Sequence, residues 1–281
     1  MAHSEDDLTY LRSVLEAQSS NHADGPRREI FDRRLIRFAE HSEAANVGSL
    51  AKLLRAEPEA CLHAVVAEAM TIKETSFFRD LTPFNLLRDS ILPRILKERR
   101  ESRRLYLWSA ASSTGQEAYS LAMLLLEHFP KLSTWDVKIL GTDISQQACD
   151  YARLGRYGRL EINRGLPARL MLKYFERDGE EWVARPELKN LVSFRRMNLC
   201  TPSPALPRFD IVLLRNVLLY LGHADRQHVL QEVHRRMRPD GALLLGASEQ
   251  AEDSCESFAL KFDGGCYFYQ PTPPSVHPGK A

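Results

Sequence analysis

Two carboxylates in this chain stand where a ligand-binding α/β protein needs them. Asp143 closes the run VKILGT, and Glu117 falls in the first turn of the apolar stretch that follows LYLWS and the loop AASSTG. In an open parallel sheet, ligands bind outside the carboxyl ends of the strands, near the point where strand order reverses. A carboxylate there can accept both hydroxyls of a ribose, and one in the first turn of the next helix can hold an ammonium group. Both residues also have plainer uses. Asp143 would cap the helix that begins near Ser145, and Glu117 would complement the helix dipole. Arg215 and Asn216 follow the apolar run FDIVLL, either as a site edge or as the start of a helix with Asn216 as its cap. Small residues from Ala110 to Gly115 let backbone approach a ligand, and the helix behind them offers free N–H groups. That loop lacks G-x-G-x-x-G, so it fits a pyrophosphate-binding dinucleotide site poorly.

Other chemistries find little support. No H-E-x-x-H and no convincing Ser/His/Asp set is present, and the nine histidines show no metal-ligand spacing. His223, His228 and His234 read as polar residues around one helix. Five cysteines (Cys61, Cys149, Cys200, Cys255, Cys266) lie scattered without a C-x-x-C pair. Neither a metal nor a disulfide framework is expected, and the pattern fits a reducing cytoplasm.

The elements that must position these residues alternate from Arg104 onward. Strands are expected over Leu105–Ser109, Val137–Thr142, Leu191–Met197, Phe209–Leu214 and Gly241–Gly246, the last after the turn Pro239-Asp240-Gly241. Helices are expected over Gln116–His128, with Ala118, Leu121, Ala122 and Leu125 on one face, over Ser145–Leu154, and over Ala224–Met237. Phe258–Phe262 and Cys266–Tyr269 flank Asp263-Gly264-Gly265 as a hairpin. Strands separated by helices imply a mostly parallel sheet covered on both faces, and the last hairpin adds an antiparallel edge. Many Rossmann-like methyltransferases end their sheet this way. Within 173–184, the Asp178-Gly179 turn marks a small inserted hairpin.

Residues 1–70 read as helices only, and 71–103 as a linker that enters a long helix carrying Leu86, Leu87, Ile91, Ile95 and Leu96. Residues 104–270 form the sheet domain, and 271–281 (PTPPSVHPGKA) read as a disordered tail. Apolar content of 44% and charged content of 27% suit a soluble globular chain. No run is long and apolar enough for a transmembrane helix, and the acidic start MAHSEDDLTY lacks the features of a signal peptide. The net charge of +1 gives no reason to expect nucleic acid. Residues 1–70 carry a net −4 and residues 71–281 a net +5, so the basic cluster near the N-terminus stands out. At about 100° per residue, Arg27, Arg33, Arg34 and Arg37 form a stripe beside Phe31, Leu35 and Phe38 on one helix. No long heptad or large apolar stripe is left over, so a monomer is expected.

The blocks TIKETSFFRD, WSAASSTGQEAYSLAM, GTDIS, ARLGRY, FDIVLLRNVLLYL and RPDGALLLGASE occur in this order. In that order and spacing the chain resembles the CheR family of chemotaxis receptor methyltransferases, over roughly residues 60–270 and more loosely in the N-terminal helices. The resemblance implies an α/β fold: a Rossmann-like S-adenosylmethionine-dependent methyltransferase sheet with a small inserted β-hairpin, preceded by a small all-helical N-terminal domain. It implies S-adenosylmethionine as cofactor, S-adenosylhomocysteine as product, and glutamate side chains of a chemoreceptor's cytoplasmic helical bundle, or a similar acidic helical protein, as acceptor.

By matching positions, the resemblance implies that Lys73, Thr75 and Arg79 of the linker contact the cofactor, with Ala110 and Gly115 beside it. Glu117 would hold the methionine amino end and Asp143 the ribose. Asn198 and Leu199 would line the adenine side, and Arg215 and Asn216 the pocket floor. Tyr220 would stand near the incoming carboxylate, where it or Arg79 could orient the nucleophile as the catalytic residues. The arginine stripe would steer docking to an acidic bundle; without the resemblance it reads equally as a solvated helix face. The chain departs from the family at Lys73, usually Asn, at Gln116 and Ala118, usually Glu and Pro, and at GASE (Gly246–Glu249), usually GHSE. Two further readings stay open: a methyltransferase of this fold acting on another acceptor, and a catalytically silent module that binds cofactor or receptor.

Overall fold

A computed structural model describes residues 4–19, 27–42, 44–56, 74–201, 205–251 and 257–272. Lys73 and the expected tail beyond Thr272 lie outside the described residues. The chain divides into two compact units, residues 1–72 with 220–226, and residues 73–219 with 227–281.

In the first unit, α1 (Glu5–Ser19), α2 (Arg27–His41) and α3 (Val47–Ala56) are the described helices. Leu8, Leu11, Leu35, Ala39, Val47, Leu50 and Leu54 close a small core among them. Each helix is short, so its stability comes from this buried stripe rather than from intrinsic propensity. On α2, Leu35 is fully buried while Phe31 and Phe38 are half-buried against the core. Arg33 and Arg37 are exposed and Arg34 is half-buried. The Arg27 side chain lies outside the described residues.

The second unit opens with the TSFFRD turn, then α4 (Leu81–Leu86) and α5 (Leu92–Glu98) joined by a π-helical segment, Leu87–Ile91. One uninterrupted helix was the expectation. The ladder widens because the Leu92 amide reaches back five residues to the Leu87 carbonyl. Pro93 follows in the first turn of α5, where it has no amide to restore the regular ladder.

The main sheet has seven strands: β1 (Arg104–Ala110), β2 (Asp136–Asp143), β6 (Val192–Arg196), β7 (Phe209–Leu214), β8 (Met237–Leu245), β9 (Phe258–Asp263) and β10 (Cys266–Pro271). Their order is β6-β2-β1-β7-β8-β10-β9. Every pair from β6 to β8 is parallel, and β10 is antiparallel to both neighbours. The expected fifth strand began at Gly241; the strand starts at Met237 instead. Its register against β7 jumps between the Phe209–Met237 and Ile211–Ala242 pairs, so Pro239-Asp240-Gly241 is a bulge rather than a preceding turn. A Cβ on Gly241 would lie 2.8 Å from the Asp210 carbonyl oxygen, so only glycine fits there. β10 runs through Pro271, one residue into the stretch expected to be tail.

α6 (Gln116–His128) follows β1, and α7 (Gln146–Leu154) follows β2. Ser145 caps α7 by accepting the Ala148 amide at 2.9 Å. One buried face was expected on α6, but it is buried on almost every side from Gln116 to Leu125. The sheet covers one side. The TSFFRD turn and α8 (Ala168–Tyr174) hold the other, where the Phe78 amide donates to Ser120 and Glu127 accepts from Arg169, Lys173 and Tyr174. The inserted hairpin is β4 (Phe175–Asp178) and β5 (Glu181–Ala184), and Gly179 turns it at φ 62°. A short strand missed in the sequence, β3 (Arg156–Gly158), makes it a three-stranded antiparallel sheet ordered β3-β5-β4.

Candidate active site

β1 lies between β2 and β7, so strand order reverses beside it. Its carboxyl end is therefore where this fold opens a crevice. The turn after β1 is backbone-strained at Ala111 and Ser113, with φ of 62° and 50°, and ends at Gly115, whose φ of 97° glycine adopts readily. Left-handed geometry costs a residue with a Cβ about 1 kcal/mol or more, and such strain concentrates at functional sites. Asp143, 7% exposed, props this turn. One of its oxygens accepts the Ser113 amide at 2.8 Å and the other the Ser145 amide at 2.9 Å. It therefore serves the start of α7 and the β1 turn together. In the same turn, the Ser112 Oγ is buried with no hydrogen-bond partner among the described residues.

Glu117 sits in the first turn of α6 and is tied on both oxygens. Ser109 donates to it at 2.7 Å and Arg215 at 3.0 Å. The Arg215 side chain, 1% exposed, also donates to the Arg79 carbonyl at 2.9 Å and the Asp80 carboxylate at 2.8 Å. Arg215 thus joins the end of β7, the start of α6 and the linker turn. Asn216 is left-handed at φ 59°, with its amide bonded to Glu249; it is not the helix cap that was the alternative reading.

The linker turn is clamped elsewhere too. Arg79 donates to the Glu74 carbonyl at 3.0 Å, Glu74 pairs with Arg164, and the Phe77 amide donates to the Arg164 carbonyl at 3.1 Å. Thr75 is half-buried in this irregular run. Phe77 is fully buried against Tyr157 and Phe175, with ring centroids at 5.1 and 5.6 Å. At the end of β6, the Met197 amide donates to the Asp143 carbonyl at 2.8 Å, which sets Asn198 and Leu199 next to the end of β2. Asn198 accepts the Cys200 amide at 2.9 Å. Tyr220 ends the single turn Leu218–Tyr220 after β7, is half-buried, and groups with the helical unit.

Ala110, Gly115, Glu117, Asp143, Asn198, Leu199, Arg215 and Asn216 thus all lie at or just past the carboxyl ends of β1, β2, β6 and β7. Sequence reasoning missed the partners that orient them: Ser109 and Ser112, Asp80, and Glu249. Each lies inside one of the ordered sequence blocks, but nothing in the blocks marked it as an orienting partner.

Parallel strands with a reversed last hairpin, a small-residue turn without dinucleotide glycines, and oriented carboxylates after the first two strands define a Rossmann-like S-adenosylmethionine-dependent methyltransferase. Residues 73–262 match the family described as CheR methyltransferase, SAM binding domain, and the chain belongs to that family. It is 35% identical to the chemotaxis protein methyltransferase Cher2 of Pseudomonas putida, over 77% of this chain and 80% of that one. It is 33% identical to chemotaxis protein methyltransferase 1 of Pseudomonas aeruginosa, over 86% and 89%. Identity is 38% with chemotaxis protein methyltransferase 1 of Vibrio cholerae, over 71% and 72%.

The residues present fit S-adenosylmethionine. Asp143 is held by two amides in one orientation. A carboxylate has about four lone-pair sites, so Glu117 keeps capacity for an ammonium beside Ser109 and Arg215. The buried Ser112 hydroxyl has a hydrogen bond to give. Among the described residues, no helix is long and apolar enough to cross a membrane, and no group of metal-ligating side chains gathers.

Proposed function

We propose that this protein methylates glutamate side chains on the cytoplasmic helical bundle of a chemoreceptor, or a similarly acidic helical protein, leaving glutamyl methyl esters and S-adenosylhomocysteine. What carries the reading is the placement of Glu117 and Asp143 at adjacent strand ends, in a chain whose relatives are named chemotaxis protein methyltransferases.

A glutamate side chain ionises near pH 4.3 in model peptides, so it is an anion at neutral pH and needs no general base. When bound, the cofactor supplies a sulfonium methyl, a strong electrophile. The methyl would pass to a carboxylate oxygen while the S–C bonding pair stays with sulfur, so the protein has no proton to move. The protein's task is alignment and exclusion of water from the nucleophile. In this reading Asp143 binds the ribose hydroxyls and Glu117 the ammonium. Lys73, Thr75 and Arg79 contribute from the linker. Asn198 and Leu199 border the adenine, and Arg215 and Asn216 form the floor. Arg79 and Tyr220 orient the acceptor carboxylate. Arg27, Arg33, Arg34 and Arg37 steer the acidic acceptor by long-range attraction, a contribution that salt screens.

The test uses membranes bearing chemoreceptors and S-adenosylmethionine labelled on the methyl group. Methyl esters release volatile labelled methanol in base, which is the expected result. Base-stable label would move the chemistry to another acceptor. No label, with S-adenosylhomocysteine still bound, would leave a silent module. Reversing Arg33 and Arg37 to Glu should lower the initial rate at subsaturating receptor, and added salt should narrow the difference from the parent protein.

A further inference from the structure

The loop after β7 turns its amides toward one side chain. Glu249 Oε2 accepts the Asn216 amide at 2.6 Å, and Oε1 accepts Val217 at 2.8 Å and Leu219 at 3.3 Å. Oε2 also accepts the Gly246 amide at 2.8 Å. Glu249 is 8% exposed, so water cannot stand in for these donors. Four backbone donors use about the whole lone-pair capacity of a carboxylate. The segment around it is shaped for the purpose. A Cβ on Gly246 would lie 2.6 Å from Oε2 and 3.0 Å from each of the two Asn216 nitrogens, so the carboxylate reaches the loop only because position 246 is glycine.

A carboxylate that only sealed the end of β8 would need the Gly246 amide alone. Here three of the four donors belong to the loop between Arg215 and Tyr220, and the first of them is a left-handed asparagine. Without this acceptor, the amides of Asn216, Val217 and Leu219 lose the carboxylate that draws them to one point. We infer that Glu249 is a positioning residue for S-adenosylmethionine: by binding the backbone of Asn216–Leu219, it holds the β7 loop in the one geometry that floors the cofactor site. This rests on the placement of that loop under Proposed function.

Glu249→Gln tests it with little change of shape. The amide oxygen still accepts, but the amide nitrogen is a donor facing donors. The assays are calorimetric titration with S-adenosylhomocysteine and residue-resolved amide hydrogen exchange. The expected result is binding weakened about tenfold, equal to about 1.4 kcal/mol. Exchange should quicken at Asn216, Val217, Leu219 and Gly246 but not within β7. Glu249→Asp keeps the charge on a shorter arm and should recover part of the affinity; it also serves if the glutamine variant fails to fold. Affinity within twofold of the parent, with those amides exchanging faster, overturns the inference. So does affinity that falls only in step with lost protection across the whole sheet. Asn216→Ala separates the two ideas: unchanged binding there removes the Asn216 side chain from the site, while the Glu249 result still decides whether the loop backbone matters.

Discussion

Replacing Arg215 with methionine removes a cation that three segments share. Glu117, whose side chain is 12% exposed, would keep only the Ser109 hydroxyl as partner among the described residues. Removing one member of a buried ion pair costs about 3–5 kcal/mol, because the remaining charge stays desolvated. The Asp80 carboxylate is 49% exposed, so losing its pairing adds at most about 1 kcal/mol. The bond to the Arg79 carbonyl adds about 1 kcal/mol. Methionine keeps the packing of the arginine stem and offsets part of this, so the expected loss is about 4 kcal/mol. For a unit of this size, 1 kcal/mol moves the thermal midpoint by about 2–4 °C, and the midpoint should fall by about 8–16 °C. Thermal unfolding followed by circular dichroism reads it. Glu117→Gln in the same background should restore about 1–3 kcal/mol, since a neutral amide needs no cation. A loss under about 1 kcal/mol for Arg215→Met, or no recovery in the double variant, would refute the claim that Glu117 depends on Arg215.

Two further perturbations follow from local geometry. At Gly115, with φ of 97°, an added Cβ would lie 2.9 Å from the Ala152 Cβ and 3.0 Å from the Phe194 Cζ. Gly115→Ala should cost about 2–4 kcal/mol from strain and overpacking together, and should weaken S-adenosylhomocysteine binding; urea unfolding and calorimetry measure the two effects. At Glu127, burial works to raise the carboxyl, but hydrogen bonds from Lys173, Tyr174 and Arg169 outweigh it and hold the group down to about 2. A carboxylate depressed in the folded state stabilises fully above its unfolded value near 4.3, and that stability is lost as pH falls toward the folded value. The gap in urea midpoint between the parent and Glu127→Gln should therefore close as pH drops from about 4.3 toward about 2. A gap that stays constant across that range would show that the cluster does not stabilise the fold.

Much of the frame was legible because its signals are long and local. Gln116–His128 and Phe209–Leu214 have the bounds their apolar patterns implied, and Ser145 caps the helix it announced. The parallel order with a reversed last hairpin followed from strands and helices alternating. What escaped depends on contacts distant in sequence. β3 is three residues long and has no pattern of its own; pairing with β5 makes it a strand. The all-round burial of α6 depends on a linker and a helix that periodicity within α6 does not register. The bulge in β8 reflects what surrounds it: Arg99 reaches the Asp240 carboxylate at 2.5 Å and Asp210 at 2.7 Å, an arrangement no local turn rule contains. In the site, the residue types at strand ends pointed to ribose and ammonium binding. Glu249 did not stand out, because its four donors come from two loops about thirty residues apart.

Tyr157 gives the inserted sheet a mechanical meaning. Its ring is wholly buried, and its hydroxyl donates to the Thr114 carbonyl at 2.8 Å, one residue before the left-handed Gly115. The insert is therefore not an appendage hung from the catalytic domain. It is a lever whose fulcrum rests on the turn after β1. At the tip, a Cβ on Gly179 would meet open space, but the Asp178 carboxylate pairs with Arg156 at 2.8 Å, the residue of β3 next to Tyr157. From β5 the contacts run through its pairing with β3 to Tyr157, and from there to the turn that Asp143 props. Such an insert can vary at Gly179, but Asp178 and the root change in step with β3 and the turn it bears on.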